Sequence, residues 1–355
     1  MADSAAARSE RSATVERTVT VESCEPAARI AAAGAVATVS LGLVIVAVAD
    51  SLSLAVQLVP LALSVLVLGL PHGAVDHLVV PRARGEPVTA RAVVGVGALY
   101  LVVGGLYAAI WFLTPVLAFA LFISITLAHW GQGDVYALVA FADADHLEGR
   151  VARGLTLVVR GGLPMLAPLV AFPGEYRFVA ETLVGLFDPA AAAALEPAFA
   201  PVTRLAVGAL FGLVIITALG FGYLAADNRG PWVVDALETL GLVAYFAVVP
   251  PILAIGLYFC FWHSLRHVLR TMLVDERASD HLARGRPGRA FARFARDAAP
   301  LSAAALAIFA VLALAVPTTP ATLEDAMGIY LVGIAVLTLP HVVVVTLLDR
   351  EAGIW

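Results

Sequence analysis

The sequence predicts an all-α, polytopic membrane protein, a bundle of about ten transmembrane helices. Three observations predict it. Hydrophobic residues make up 61% of the 355 and charged residues only 14%, and the mean hydropathy is +0.92, far too apolar for a domain solvated by water. The apolar residues fall in runs of about 20 without period-two alternation. In a bilayer every backbone polar group must be paired within the span, and such runs select helices over a closed barrel. Charges collect in the stretches between those runs.

Residues 1–28 are rich in Ser, Glu and Arg and hold no apolar core of a signal peptide, so they read as a disordered polar tail. Residues 29–355 then form a single transmembrane helical domain. Its spans are expected near residues 29–49, 52–80, 92–113, 116–141, 154–172, 205–226, 233–249, 252–274, 301–316 and 327–348, each close to the length that crosses a bilayer. Pro250-Pro251 marks either a hairpin between two spans or a kink within one, because the residue before a proline is pushed out of the helical region.

With the N-terminus cytoplasmic, the inner loops carry Arg82, Arg84 and Arg91, then Arg150 and Arg153, Arg229, the 277–296 stretch, and Arg350. Each obeys the positive-inside rule, and the C-terminus is then cytoplasmic too. The multi-pass chain is expected in the plasma membrane. The 277–296 stretch reads chiefly as a solvated basic loop, with an amphipathic surface helix as the alternative. The outer segment 173–201 is acidic, and its Ala-rich run at 189–200 promises no chemistry.

Cys24 and Cys260 have no metal-type spacing and read as bystanders. The net charge is −5, and no basic patch with interleaved aromatics points to a nucleic-acid partner.

Ionisable groups inside a bilayer are costly, so each is a functional hypothesis. Six of the eight histidines fall within spans: His72, His77, His129, His263, His267 and His341. His146 and His281 fall in charged loops and read as solvated. Counted to the first firm charge at the inner edge, His72, His129, His263, His267 and His341 fall within a range of six residues in depth, a spread of about 9 Å. His263 and His267 are one helical turn apart, about 40° around the axis, so both can reach one ion. His72 and Asp76 are likewise one helical turn apart and share a face, which makes His72 a ligand and Asp76 either an acceptor for a neighbouring imidazole or a fifth ligand. The same geometry turns His77 about 140° away. Gly131 and Gly133, after His129, either clear space beside an ion or permit close helix packing. An all-imidazole site suits iron, copper or zinc, and spacing does not separate them.

The motifs PHGAVDH at 71–77, HWGQGD at 129–134, FWHSLRH at 261–267 and PH at 340–341, in this order and all within spans, resemble the Brp/Blh family of integral-membrane β-carotene 15,15′-dioxygenases. The likeness runs from about residue 30 to the C-terminus. It implies O2-dependent cleavage of the central double bond of β-carotene into two retinal molecules at a non-haem Fe(II). It implies four histidine ligands, His72, His129, His263 and His267, with Asp76, His77 and His341 in support. A lipid-dissolved polyene would enter sideways and lie against aromatic residues, among them Trp130, Phe259 and Trp262, with Trp111 and Phe261 further candidates. The product would pass to a microbial rhodopsin. The chain cannot itself be such a pigment, since all 22 of its basic residues are arginine and a retinal Schiff base needs lysine.

Other readings of the same histidines are a di-iron hydroxylase or desaturase, which wants more His boxes than the one HxxxH present; a b-type cytochrome using His129 and His263; and a proton-coupled transporter using Asp76 and the histidines as a relay.

Overall fold

The computed structural model describes residues 21–49 and 51–355. Among them it contains ten helices long and apolar enough to cross a membrane: α1 (Cys24–Val48), α2 (Leu54–Ala83), α3 (Ala90–Leu113), α4 (Pro115–Ala142), α5 (Arg150–Ala171), α6 (Pro201–Ala225), α7 (Arg229–Val248), α8 (Pro251–Leu273), α9 (Pro287–Ala315) and α10 (Leu323–Glu351). The protein is thus an all-α, multi-pass membrane bundle, and no strand occurs among the described residues. The first 20 residues of the expected tail lie outside the described residues, and helix is already formed from Val21.

Local chemistry starts and stops these helices where the sequence allows. Proline, which lacks an N–H to leave unpaired, opens α4, α6, α8 and α9. Thr322 and Asp325 close a reciprocal capping box at the start of α10. At Pro250-Pro251 the chain folds back. The Phe246 and Tyr258 rings lie 5.4 Å apart and the Tyr245 hydroxyl donates to the Ala254 carbonyl at 2.9 Å, contacts that one continuous helix, rising 1.5 Å per residue, cannot make. The hairpin reading is the correct one.

Two expectations fail. The 277–296 stretch is not a solvated loop: Glu276–Ala283 is a helix, α9 begins at Pro287, and Ala290 and Phe294 are buried in the core. His146 is not solvated either. It is buried and bonds Asp235 of α7 through Nε2 at 3.0 Å, a long-range pairing that loop composition does not announce.

The ends expected on one side of the membrane do meet. Arg82 pairs with Asp297 at 2.6 Å and Asp275 at 3.0 Å, Arg84 with Glu351 at 2.6 Å, and Arg153 donates to the carbonyl of Ile354. Burial pushes the Asp275 carboxyl up, but hydrogen bonds from Arg293 and the Ala278 N–H, with Arg82 and Arg293 nearby, outweigh it and hold it below the usual carboxylate range.

Helices α4 and α5 cross closely. A Cβ on Gly131 would meet the Leu157 carbonyl oxygen at 2.0 Å, and one on Gly161 would meet that of Leu127 at 1.7 Å. This glycine pair permits the packing that holds His129 in place.

Candidate metal centre

The span carrying His72 is not a continuous helix. Helix runs over Val59–Leu66, a turn follows, a short 3-10 segment covers Leu70–His72, and helix resumes at Asp76–Ala83. Gly69 is required in this break, since a Cβ there would meet Ser64 Cβ at 2.6 Å and Phe259 Cε1 at 2.7 Å. The assumed one-turn relation between His72 and Asp76 therefore does not exist. Asp76 instead bonds two other residues: its carboxylate accepts from His341 Nδ1 at 2.8 Å and from the Tyr100 hydroxyl at 2.6 Å. His72 Nδ1 is bonded to the carbonyl of Gly69 inside the break.

His263 sits in a π-helical turn, Tyr258–Ser264, and His267 in the α-helix that follows. Such turns occur often at functional sites because they re-aim side chains. The two rings lie 4.7 Å apart. His129, from α4, lies 4.8 Å from His263 and 5.0 Å from His267. His341, from α10, lies 4.8 Å from His129 and 4.9 Å from His72. Five buried imidazoles from α2, α4, α8 and α10 thus converge. Ligand nitrogens of His72, His129 and His341, and of His129, His263 and His267, all lie within 4.8 Å of one another in each group.

The donor set fits a metal ion. His263 Nε2 and His129 Nε2 approach to 3.1 Å, about the separation of two nitrogens that each lie ~2.1 Å from one ion at near right angles. Buried His267 Nε2 and His341 Nε2 have no hydrogen-bond partner, a costly state that coordination relieves. Gly69 and Asp76 occupy the Nδ1 atoms of His72 and His341, which leaves Nε2 of each as the ligand atom. The close approach of His129 and His263, with three more rings around them, leaves no slot for a haem between that pair.

The two glycines after His129 have separate jobs. Gly131 faces α5, whereas a Cβ on Gly133 would lie 2.8 Å from His267 Nε2. Gly133→Ala is expected to lower bound metal at least about tenfold; metal analysis of purified protein checks this, and full occupancy would place the His267 ring elsewhere.

His77 stays out of the cluster. It is half-buried, and its Nδ1 has no partner. Trp130 and Phe259 line a cavity of about 120 Å³ that reaches His72 and His129, with no carboxylate or guanidinium in its wall. Trp262 does not line it. Its indole N–H donates to Asp134 at 2.9 Å and its ring carries the Arg266 guanidinium. Trp111 packs against Phe187 in a separate part of the core, and Phe261, partly buried, packs at the edge of another.

Behind the histidines lies a charged network that sequence reading left unassigned. Arg266 bonds Asp134 at 2.9 Å and Glu238 at 2.6 Å. Arg160 reaches Asp235 at 2.7 Å, Glu238 at 3.1 Å and Asp134 at 3.5 Å. The signal was present: Asp134, Arg160, Glu238 and Arg266 all interrupt apolar spans, and buried charges need partners.

The profile of the beta-carotene 15,15'-dioxygenase family matches residues 63–349, a stretch that contains all five histidines. The chain belongs to this family. It is 44% identical to the protein named "Probable beta-carotene 15,15'-dioxygenase Blh" of Halobacterium salinarum, over 86% of this chain and 88% of that one. To the protein named "Probable beta-carotene 15,15'-dioxygenase Brp" of the same species it is 33% identical, over 82% and 84%. A beta-carotene 15,15'-dioxygenase from an uncultured marine bacterium is 22% identical over 57% and 65%. No solved structure matches the chain. Within the family's matched region the structure places His72, His129, His263, His267 and His341 in one cluster.

Proposed function

We propose that this member of the dioxygenase family cleaves the central 15,15′ double bond of β-carotene, one molecule of O2 supplying one oxygen atom to each of two retinal molecules. The observation that carries the reading is the cluster of five buried imidazoles, two of which, His72 and His129, line a predominantly apolar cavity. Fe(II) held by His72, His129, His263, His267 and His341 would bind O2 and activate it beside the double bond. The chain's own residues do the rest. Gly69 and Asp76 hold two of the imidazoles in the tautomer that presents Nε2. Trp130 and Phe259, their rings 6.0 Å apart and nearly parallel, offer flat faces to a conjugated chain. The apolar wall excludes water and fixes the bond relative to the histidines.

The arginine-bearing end of the bundle faces the cytoplasm in this reading, by the positive-inside rule, with the protein in the plasma membrane. The substrate arrives from the bilayer and the product leaves into it, where a retinal-binding opsin takes it up.

The test is direct. β-Carotene-accumulating cells that express the chain should lose orange colour and gain retinal, and purified protein should hold about one iron per chain. Persistent β-carotene with folded, iron-loaded protein would defeat the proposal.

A further inference from the structure

A second cavity, of about 240 Å³, also reaches the histidine cluster, through His72 and His341 where the first reaches it through His72 and His129. Both cavities greatly exceed the ~15 Å³ that one water needs, so neither is a packing flaw. His72, Ile334 and Thr338 line both, which makes them the wall, or doorway, between two chambers. The chambers differ in their outer ends. The first is bounded by buried and half-buried residues. The second runs out between α3 and α9, where its lining residues Val93, Gly97, Ala304 and Ile308 are exposed on the bundle's lateral surface. That surface faces acyl chains in a bilayer, so the opening is a window into lipid. The carboxylate that lines the second chamber, Asp76, is already taken up by His341 and Tyr100 and presents no free charge to an apolar guest.

From this arrangement we infer that the second chamber is both the entrance for the carotenoid and the seat of one of its two arms. This rests on the cleavage proposed above. A cut at the midpoint of a symmetric polyene requires equal arms on either side of the reacting bond, and a chamber on one side of the histidines holds only one. The molecule enters through the window between α3 and α9, threads past His72 between Ile334 and Thr338, and stops when its leading ring fills the inner chamber. The trailing arm then lies in the second chamber, and the central bond lies where the chambers join.

Filling the second chamber tests this. A Cβ on Gly97 meets nothing within 4 Å, and the same holds for Gly95 on the same helix, which does not line the chamber. Gly97→Phe, and independently Ala304→Phe on the facing helix, should lower the ratio of kcat/KM for β-carotene to that for a one-ringed apocarotenal, which keeps the central bond but has one arm shortened, by at least about tenfold. Gly95→Phe should leave both values as they are. Unchanged β-carotene cleavage in both chamber variants would overturn the two-arm arrangement. So would an equal fall for both substrates with iron content retained, because hindered entry lowers both values alike and only a displaced arm lowers that of β-carotene further. If the unaltered chain, iron-loaded, cleaves neither polyene, the proposed function itself fails, a result distinct from either.

Discussion

His341→Ala is expected to strip the iron and end retinal formation as completely as His263→Ala does, whereas Asp76→Asn should weaken metal affinity by about 10–100-fold and leave measurable activity. The difference follows from where each side chain stands. His341 lies ring to ring with His72 and His129 and turns a buried, unpartnered Nε2 into the cluster. Asp76 touches only its Nδ1 and the Tyr100 hydroxyl. Removing the imidazole deletes a donor atom; changing the carboxylate to an amide keeps the donor and loosens its orientation. Iron quantification on purified variants, alongside retinal yield, checks both. A four-histidine centre, as the motif resemblance implies, predicts that His341→Ala instead behaves like Asp76→Asn. Retention of near-normal iron by the alanine variant would therefore demote His341 to a supporting role.

The second large effect is on folding. Arg160→Leu is expected to cost about 3–5 kcal/mol of stability, because it removes one of the two guanidinium groups from a largely buried cluster, takes from Asp235 its arginine partner and leaves Asp134 and Glu238 to share Arg266 alone. Arg266 shares Asp134 and Glu238 with Arg160 and directly precedes His267. The same substitution should therefore loosen the π-turn of α8 and reduce iron content in the protein that remains folded. Denaturant titration in detergent measures the first and metal analysis the second. Arg177→Ala, at an ion pair in contact with water or headgroups, should leave the transition midpoint where it is. Equal midpoints for Arg160→Leu and the unaltered chain would mean that the network contributes nothing to holding α4, α5, α7 and α8 together.

The two networks differ in how visible they were beforehand. The histidine cluster could be anticipated because its members share a depth, and depth is counted along the chain. The charged network could have been flagged by the same rule, since each member interrupts an apolar run, but nothing in the chain says which acid meets which arginine. His146 shows the limit most plainly. Its neighbours are charged and its segment is a loop, yet α7 packs over it and supplies Asp235 as its partner. Trp262 is the converse case. An aromatic beside a metal-binding histidine suggests a substrate contact, but the π-turn sends its indole N–H to Asp134 instead.

By itself, the sequence determined that this chain is a ten-span helical membrane protein and that five of its histidines lie at one level. Those properties follow from hydrophobicity and helix pitch, which act residue by residue along the chain. Only the tertiary structure decided that α2 breaks before His72, that Asp76 serves His341, that Gly131 packs while Gly133 makes room, and that two chambers flank the cluster. Each of these depends on which segment of chain arrives from elsewhere to occupy or vacate the adjoining space, and no local rule carries that information.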